Sequence, residues 1–167
     1  GAAKAGTTAG MWLFVPSGSN ASGTIFTINF SGSITDGTAR IVSGTVGTGN
    51  SIRKDAAVAN VYNVLDAAAG FGSASFSSML SQERLYVRCN AKELNSLTTI
   101  TVSSGYSSLG VGRSRNNTAA QSLRGEYKVA TSTAETSNPT HATTGDLASI
   151  FVALEEFAPV PVLTRNP

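Results

Sequence analysis

Apolar and β-branched residues occur in short runs along this chain, and residues that favour turns separate the runs. Residues 11–15 form an apolar run that Pro16 ends, and residues 24–30 combine β-branched with aromatic side chains. Such runs are typical of strands. Asp36-Gly37 then gives a hairpin signal, and residues 39–46 are predicted to return as the partner strand. The pattern predicts a β-rich chain.

The second half of the chain continues the pattern. Residues 85–89 and 97–102 alternate apolar with polar side chains, so they are predicted to form a hairpin through residues 90–95. Residues 127–130 are predicted to form a further short strand. The Gly/Ser segment 105–112 is predicted to be tight, with one helical turn around Leu109.

One segment has helical spacing. Its apolar residues, Val58, Val61, Tyr62 and Leu65, recur at i, i+3, i+4 and i+7. Asn50 or Ser51 provides an N-terminal cap, and Gly70 follows three alanines as a C-terminal cap. The sequence therefore predicts a helix over about residues 51–69 that packs across the sheet.

The C-terminal third is less regular. Residues 131–145 are polar and rich in breakers, which predicts an exposed loop. Residues 147–157 fit both helical and strand spacing, and helix is slightly favoured. Pro159 and Pro161 require the apolar tail to be extended. We therefore expect an α+β, β-rich fold: antiparallel hairpins with one main helix, a single domain over residues 11–157, and arms at 1–10 and 158–167.

Charge is scarce. Charged residues make up 13% of the chain, about half the usual share, whereas Ser and Thr together make up about a quarter. A surface of hydroxyls is less costly to desolvate than a charged surface, which favours contact with another subunit. The net charge of +2 is too small to indicate nucleic-acid binding by bulk attraction, and no apolar stretch is long enough to span a membrane.

Residues that carry catalysis or bind metals are nearly absent. The chain has one histidine, His141, which the polar loop predicts to be solvated, and one cysteine, Cys89, which is predicted to be a buried structural thiol. One Cys and one His do not make a zinc site. The glycines at 44–49 lack the Lys-Ser/Thr ending of a phosphate loop. The sequence predicts no enzyme, no cofactor, no metal and no small-molecule substrate.

The order of elements over residues 24–112 resembles a small β-β-α-β-β module of virion proteins in tailed bacteriophages. In that module an Ala-rich helix lies between two hairpins and a Gly-x-x-x-Leu-Gly segment closes the unit. The matching stretches are residues 55–65 and Gly105 to Gly110. The resemblance implies a structural role in the head or tail of a phage particle and carries no catalytic residues with it.

Within that class we expect a capsid decoration or cement protein, located in the virion and assembled in the host cytoplasm. Its arms would join neighbouring copies or a major capsid protein, and it would contact neither membrane nor specific nucleic acid. A tail tube, sheath-type or other tail-associated protein is one alternative, and an adhesive or receptor-binding module is another. Arginines at 113, 115 and 124, with Lys128, form the most basic stretch, where a solvated loop and a dock for an acidic neighbour are equally favoured. The predicted interface residues are Lys4, Trp12, Arg113, Arg115, Arg124, Pro159, Val160, Pro161, Val162 and Leu163.

Overall fold

The computed structural model describes residues 2–4, 7–9, 50–94, 98–115 and 120–157. Within these ranges every helix or strand element is a β-strand. In chain order the strands are β1 (Ala2–Lys4), β2 (Thr7–Ala9), β3 (Ser51–Lys54), β4 (Val61–Gly70), β5 (Ala74–Phe76), β6 (Gln82–Leu94), β7 (Ile100–Thr101), β8 (Ser107–Arg115), β9 (Ala120–Ser132), β10 (Glu135–Ser137) and β11 (Thr140–Phe157). No helix that could cross a membrane is found in this part of the chain.

The main sheet is antiparallel and curls into a half-barrel. Its strand order is β3, β11, β6, β9 and β8, and β4 pairs with the same edge of β11 as β3 does. β7 pairs with the first residues of β11. Strands β5 and β10 form a separate two-stranded ribbon. The face of the main sheet that packs against this ribbon is called the inner face below, and the opposite one the outer face.

β11 is the central strand. Residues 147–154 are all buried, and the segment pairs with β4 on one edge and with β6 on the other. A strand that is covered on both faces needs a nearly continuous apolar run, and residues 147–154 supply it. The slight preference for a helix over residues 147–157 was therefore wrong.

The predicted helix over residues 51–69 was also wrong, and with it the α+β fold class: the described part of the chain is all-β. β3, a turn and β4 occupy this segment instead. Val61 and Leu65 lie on the half-buried face of β4, whereas Tyr62 between them is 47% exposed. Pairing with the apolar residues of β11 outweighs the helix propensity of the alanines, because propensity is a weak prior that tertiary contacts override.

Several shorter predictions can be compared with the strands. The strands predicted at 85–89 and 127–130 are confirmed within β6 and β9. The strand at 97–102 is reduced to Ile100–Thr101, and β8 replaces the helical turn around Leu109. The prediction of an exposed loop at 131–145 was wrong, because this stretch includes β10 and the start of β11. The strands predicted between residues 11 and 46 lie outside the described residues.

Of the two predicted arms, only part of the N-terminal one falls within the described residues. Within residues 1–10, β1 and β2 pair as an antiparallel hairpin. This hairpin contacts β4, β6 and β11 of the same chain. The C-terminal arm at 158–167 lies outside the described residues. The role of both arms in joining neighbouring subunits stays a prediction.

Aromatic side chains fill the space between the inner face and the ribbon. The rings of Phe76 on β5 and Phe151 on β11 stack with their centroids 4.6 Å apart. Tyr86, Tyr106 and Met79 complete this cluster. On the outer face Ile150, Val152 and Leu154 of β11 are buried and pack against residues of β6 such as Val87.

Candidate functional site

Six charged side chains are buried inside the domain, an unusual feature for a chain with so few charges. We call this set the charged core. Strand β6 supplies its three cations, because residues two apart on a strand share a face and the even-numbered residues of β6 point inward. The members are Arg84, Arg88 and Lys92 on β6, Asp55 after β3, Glu126 on β9 and Glu135 on β10.

Arg84 and Asp55 form a buried ion pair. Arg84 Nε donates to Asp55 Oδ2 over 2.5 Å, and the side chains are only 1% and 3% exposed. Arg84 also donates to the carbonyl of Leu80, and Asp55 Oδ1 accepts the amide of Ala57. Burial by itself raises the pKa of Asp55, but the hydrogen bonds from Arg84 and Ala57 and the charge of Arg84 hold it below its usual value. The pair ties the β3–β4 turn to β6.

Arg88 and Glu126 are cross-strand neighbours on β6 and β9. Arg88 donates to the carbonyl and hydroxyl of Ser137, to the hydroxyl of Ser149 and to the carbonyls of Phe71 and Gly72. Burial lowers the pKa of Arg88 to about 10, and the charge of Glu126 opposes this decrease. Arg88 therefore remains a cation at neutral pH.

Two serines connect Glu126 to the rest of the inner layer. Ser103 donates both its amide, over 2.8 Å, and its hydroxyl, over 2.7 Å, to the carboxylate. The Ser137 hydroxyl donates to the same carboxylate over 2.5 Å. Both serines are buried, at 6% and 0% exposure, so these hydroxyls are shielded from solvent. The arrangement links β9, β10 and the β7–β8 turn.

Glu135 forms a third buried centre. Its carboxylate accepts two hydrogen bonds from Lys128 Nζ, at 2.9 and 3.0 Å, and one from the Tyr106 hydroxyl at 3.1 Å. Burial, reinforced by the charge and hydrogen bond of Glu135, raises the pKa of Tyr106. The predicted basic stretch thus has one of its cations, Lys128, paired within the chain.

Lys92 and His141 are the fourth centre, and their side chains have the fewest hydrogen-bond partners of the four. Lys92 is 1% exposed, and its Nζ donates to Thr143 Oγ1 over 2.6 Å. His141 is 8% exposed, and neither ring nitrogen has a hydrogen-bond partner. The prediction that His141 is a solvated loop residue was wrong, because β11 carries it beneath the surface and against the edge of Phe71.

The exposed surface, in contrast to the interior, is poor in charged residues and rich in hydroxyl groups. Among the 34 exposed residues in the described ranges, 16 are Ser or Thr and only four are charged. Six charged side chains are buried in the same ranges, so more charged residues are buried than are exposed. The exposed large apolar side chains of these ranges are Tyr62, Val64, Leu80, Val111 and Val129.

The predicted interface residues fall into two groups. Trp12 and the residues from Pro159 to Leu163 lie outside the described ranges, and for Lys4, Arg113 and Arg115 only the strand positions in β1 and β8 are described. Arg124 on β9 donates to the carbonyl of Ile100 over 2.6 Å and to the hydroxyl of Ser108 over 3.1 Å. These bonds link β7, β8 and β9, whereas contact of any of these residues with a neighbour stays a prediction.

Sequence reasoning did not find the charged core. Arg84, Arg88 and Lys92 alternate with Leu85, Val87 and Cys89, a pattern that ordinarily places the polar residues in solvent. Here the polar face of β6 is the one turned toward the ribbon and buried, whereas the apolar face is mostly half-buried. The signal that was available is the spacing of the three cations at every fourth residue.

Cys89 is on the outer face of β6, near Ile150 and Val152. It is partly buried, and burial raises the pKa of its thiol to about 11. A thiol with a raised pKa is a weak nucleophile at neutral pH. No group of three His, Cys, Asp or Glu residues that could hold a metal is found among the described residues.

The chain was also compared with known proteins. Family models, curated proteins and solved structures give no match to it.

Proposed function

We propose that this chain is a non-enzymatic structural subunit of a phage particle, and that it acts as a capsid decoration protein. The observation that carries the proposal is the inverted charge distribution: six charged side chains are buried, and four are exposed in the described ranges. A subunit that will be covered by neighbours gains from such an exterior, because hydroxyls cost less to desolvate than unpaired charges.

The charged core supports the same role. Its hydrogen bonds connect β6, β9 and β10 with the β3–β4 and β7–β8 turns, so the inner layer is held by directed contacts as well as by the aromatic cluster. Around Arg84, Arg88, Glu126 and Glu135 the polar groups are hydrogen-bonded, and satisfied polar networks of this kind rigidify a domain. A rigid subunit loses little conformational entropy on assembly, and many weak contacts then add up over repeated copies.

Solution sizing and negative-stain microscopy of the full chain test the proposal. A decoration protein is expected to stay small by itself and to join particles when it is produced together with a major capsid protein of the same phage. Rings or tubes formed by the isolated chain would favour the tail tube or sheath alternative. A chain that stays monomeric and unattached under both conditions would contradict the proposal.

A charge scan locates the contact surface. Each exposed Ser or Thr, such as Ser75 or Thr136 on the ribbon, is replaced by Glu. Substitutions within the contact surface are expected to weaken attachment about tenfold or more, because a carboxylate must then be desolvated. Glu83→Gln is the control, since it removes an exposed charge. A scan in which no position affects attachment would show that the hydroxyl-rich exterior is not the contact surface.

Deleting residues 133–143 is not a usable test of the adhesive alternative. That deletion removes β10 and the start of β11, and with them Glu135 of the charged core. Loss of attachment would then report unfolding. Point substitutions at Thr133 and Thr144, which are both exposed, separate attachment from folding.

A further inference from the structure

The first residues of β11 are joined to the sheet by fewer backbone pairs than the rest of the strand. Thr140 and His141 pair with the two residues of β7, but none of the described registers of β11 includes residues 142–144. These three residues are exposed, and pairing with β6 begins only at residue 146. We call residues 140–145 the latch. Weakly paired, exposed segments of this kind are where proteins open locally.

His141 is buried in the latch without a described hydrogen-bond partner. It is 8% exposed, both ring nitrogens are unpaired, and its ring lies edge-on to that of Phe71 with the centroids 5.2 Å apart. A neutral imidazole has one N–H donor, whereas an imidazolium has two donors and a positive charge. Water satisfies these groups only when the latch is open, so burial costs the charged form more than the neutral form.

Cations hold the residues around His141. Two of these residues contact or pair with the histidine, and the third lies two positions along β11. The bonds run from Lys92 Nζ to Thr143 Oγ1 over 2.6 Å, from Arg88 to the Phe71 carbonyl over 3.1 Å and from Arg124 to the Ile100 carbonyl over 2.6 Å. An imidazolium at this place would add a positive charge to a region that already holds three, which is unfavourable.

The carboxylates described at this end of the sheet are placed differently. Asp146 lies five residues along β11 from His141 and stands opposite Glu93 in the register with β6. Glu126 accepts hydrogen bonds from two buried serines. None of these three residues forms a described hydrogen bond with the imidazole.

Acid therefore favours the open form of the latch. Burial, followed by the charge of Lys92, lowers the pKa of His141 below its ordinary 6.5, although the backbone of Thr143 acts in the opposite direction. In the open form the imidazole regains its ordinary pKa. As the pH falls below 6.5, the open form binds a proton more readily than the closed form does. One proton can raise the opening equilibrium constant by at most about thirtyfold between pH 7.5 and pH 5.

We propose that the latch opens in acid: protonation of His141 by solvent releases residues 140–145 from β7 and uncovers Phe71 and Ile100. Both residues are buried in the closed form, at 1% and 3% exposure, in one apolar cluster with Leu147. The rest of β11 stays in the sheet, because residues 146–154 pair with β6. An apolar surface that is hidden at neutral pH thereby becomes available to a partner at low pH. The proposal does not depend on the role of the chain in a particle.

Backbone hydrogen exchange of the full chain, measured by NMR at pH 5 and pH 7.5, tests the proposal. Each observed rate is divided by the intrinsic rate at the same pH, so that protection factors are compared. Protection of the latch amides should fall about fivefold or more at pH 5 and should be insensitive to low urea concentrations, since local opening exposes little surface. Amides of residues 147–154 should lose protection as urea is added. Latch protection that is equal at both pH values, or that depends on urea as the core amides do, would overturn the proposal.

Variants identify the group that titrates, because His141 is the only histidine of the chain. His141→Phe and His141→Gln should each give latch protection that is the same at pH 5 and pH 7.5. A pH dependence that persists in both variants would overturn the proposal.

A second pair of variants separates the attachment of the latch from its response to acid. Thr143→Val removes the acceptor of Lys92 and should lower latch protection about tenfold at both pH values, the effect of losing one charge-assisted hydrogen bond, while the pH dependence remains. Thr144→Val, at the exposed neighbour, is the control and should behave as the wild type does. Equal protection of the latch in Thr143→Val and Thr144→Val would show that Lys92 does not hold the latch closed and would contradict the mechanism.

Discussion

Removal of either partner of the Asp55–Arg84 pair should strongly destabilise the domain. Asp55→Asn leaves an acceptor for the Ala57 amide but takes the counter-charge from an arginine that is 2% exposed. Breaking a buried pair at one partner costs about 3–5 kcal/mol. That cost is a large share of the roughly 5–15 kcal/mol that holds a typical domain together.

The double variant separates the pair from its surroundings. Arg84→Met fills much of the space of the arginine stem, and in combination with Asp55→Asn it leaves no charge buried at this place. The sum of the two single effects should exceed the effect of the double variant by about 1–3 kcal/mol, because the residues are in direct contact. Glu83→Gln, which changes an exposed charge next to Arg84 on β6, is the control.

Urea unfolding followed by circular dichroism at pH 7 measures these effects. The urea midpoint should fall in both single variants, whereas the slope of the unfolding free energy against urea concentration should stay constant, which indicates that the surface exposed on unfolding has not changed. Single variants that each cost less than about 1 kcal/mol, or effects that simply add, would refute the reasoning. Either result would mean that the pair is not needed to hold the β3–β4 turn on β6.

Three further predictions concern single positions. The pKa of His141 is below its ordinary 6.5 in the folded chain, so the unfolded chain binds the proton more readily and stability should fall as the pH drops below 6.5. His141→Phe should remove this contribution to the pH dependence, which unfolding curves at pH 5 and pH 7.5 measure. Gly145→Ala places a Cβ 2.6 Å from the carbonyl of Glu93 and should cost about 1–3 kcal/mol of stability. Gly70→Ala meets nothing within 4 Å and should change stability by less than about 1 kcal/mol. Equal losses of stability in thermal unfolding would argue against the close approach at Gly145. Cys89, with a pKa of about 11, should react with iodoacetamide at pH 8 much more slowly than a free thiol does, and a rate similar to that of glutathione would contradict its burial.

The sequence was most informative where a strand has a regular alternation of apolar and polar residues. Residues 85–89 and 127–130 alternate, and both segments lie in strands of the main sheet. Local alternation matches the two-residue period of a strand, so these strands could be predicted without knowing which strands they pair with. The same reasoning failed for residues 51–69, because spacing of Val58, Val61 and Leu65 fits a helix face and also, in part, one face of a strand.

The candidate site depended on contacts between distant residues. Asp55 and Arg84 are 29 positions apart, and Arg88 and Ser149 are 61 apart. Nothing in the local sequence shows that Arg88 faces inward, since a strand that alternates polar and apolar residues has the same pattern whichever face is covered. His141 was misplaced for a related reason: its polar neighbours indicated a loop, whereas pairing with Ile100 holds it in a sheet.

The sequence by itself determined that the chain is rich in strands, poor in charge and short of catalytic side chains, because composition and a two-residue period are local properties. Only the tertiary structure decided that the Ala-rich segment is a strand and that the few charges are concentrated inside. Both outcomes follow from β11: its apolar run pairs on both edges, which draws β4 and β6 into the sheet. The cations of β6 are thereby placed under the ribbon, where buried carboxylates and hydroxyls hold two of them and Lys92 keeps donors to spare.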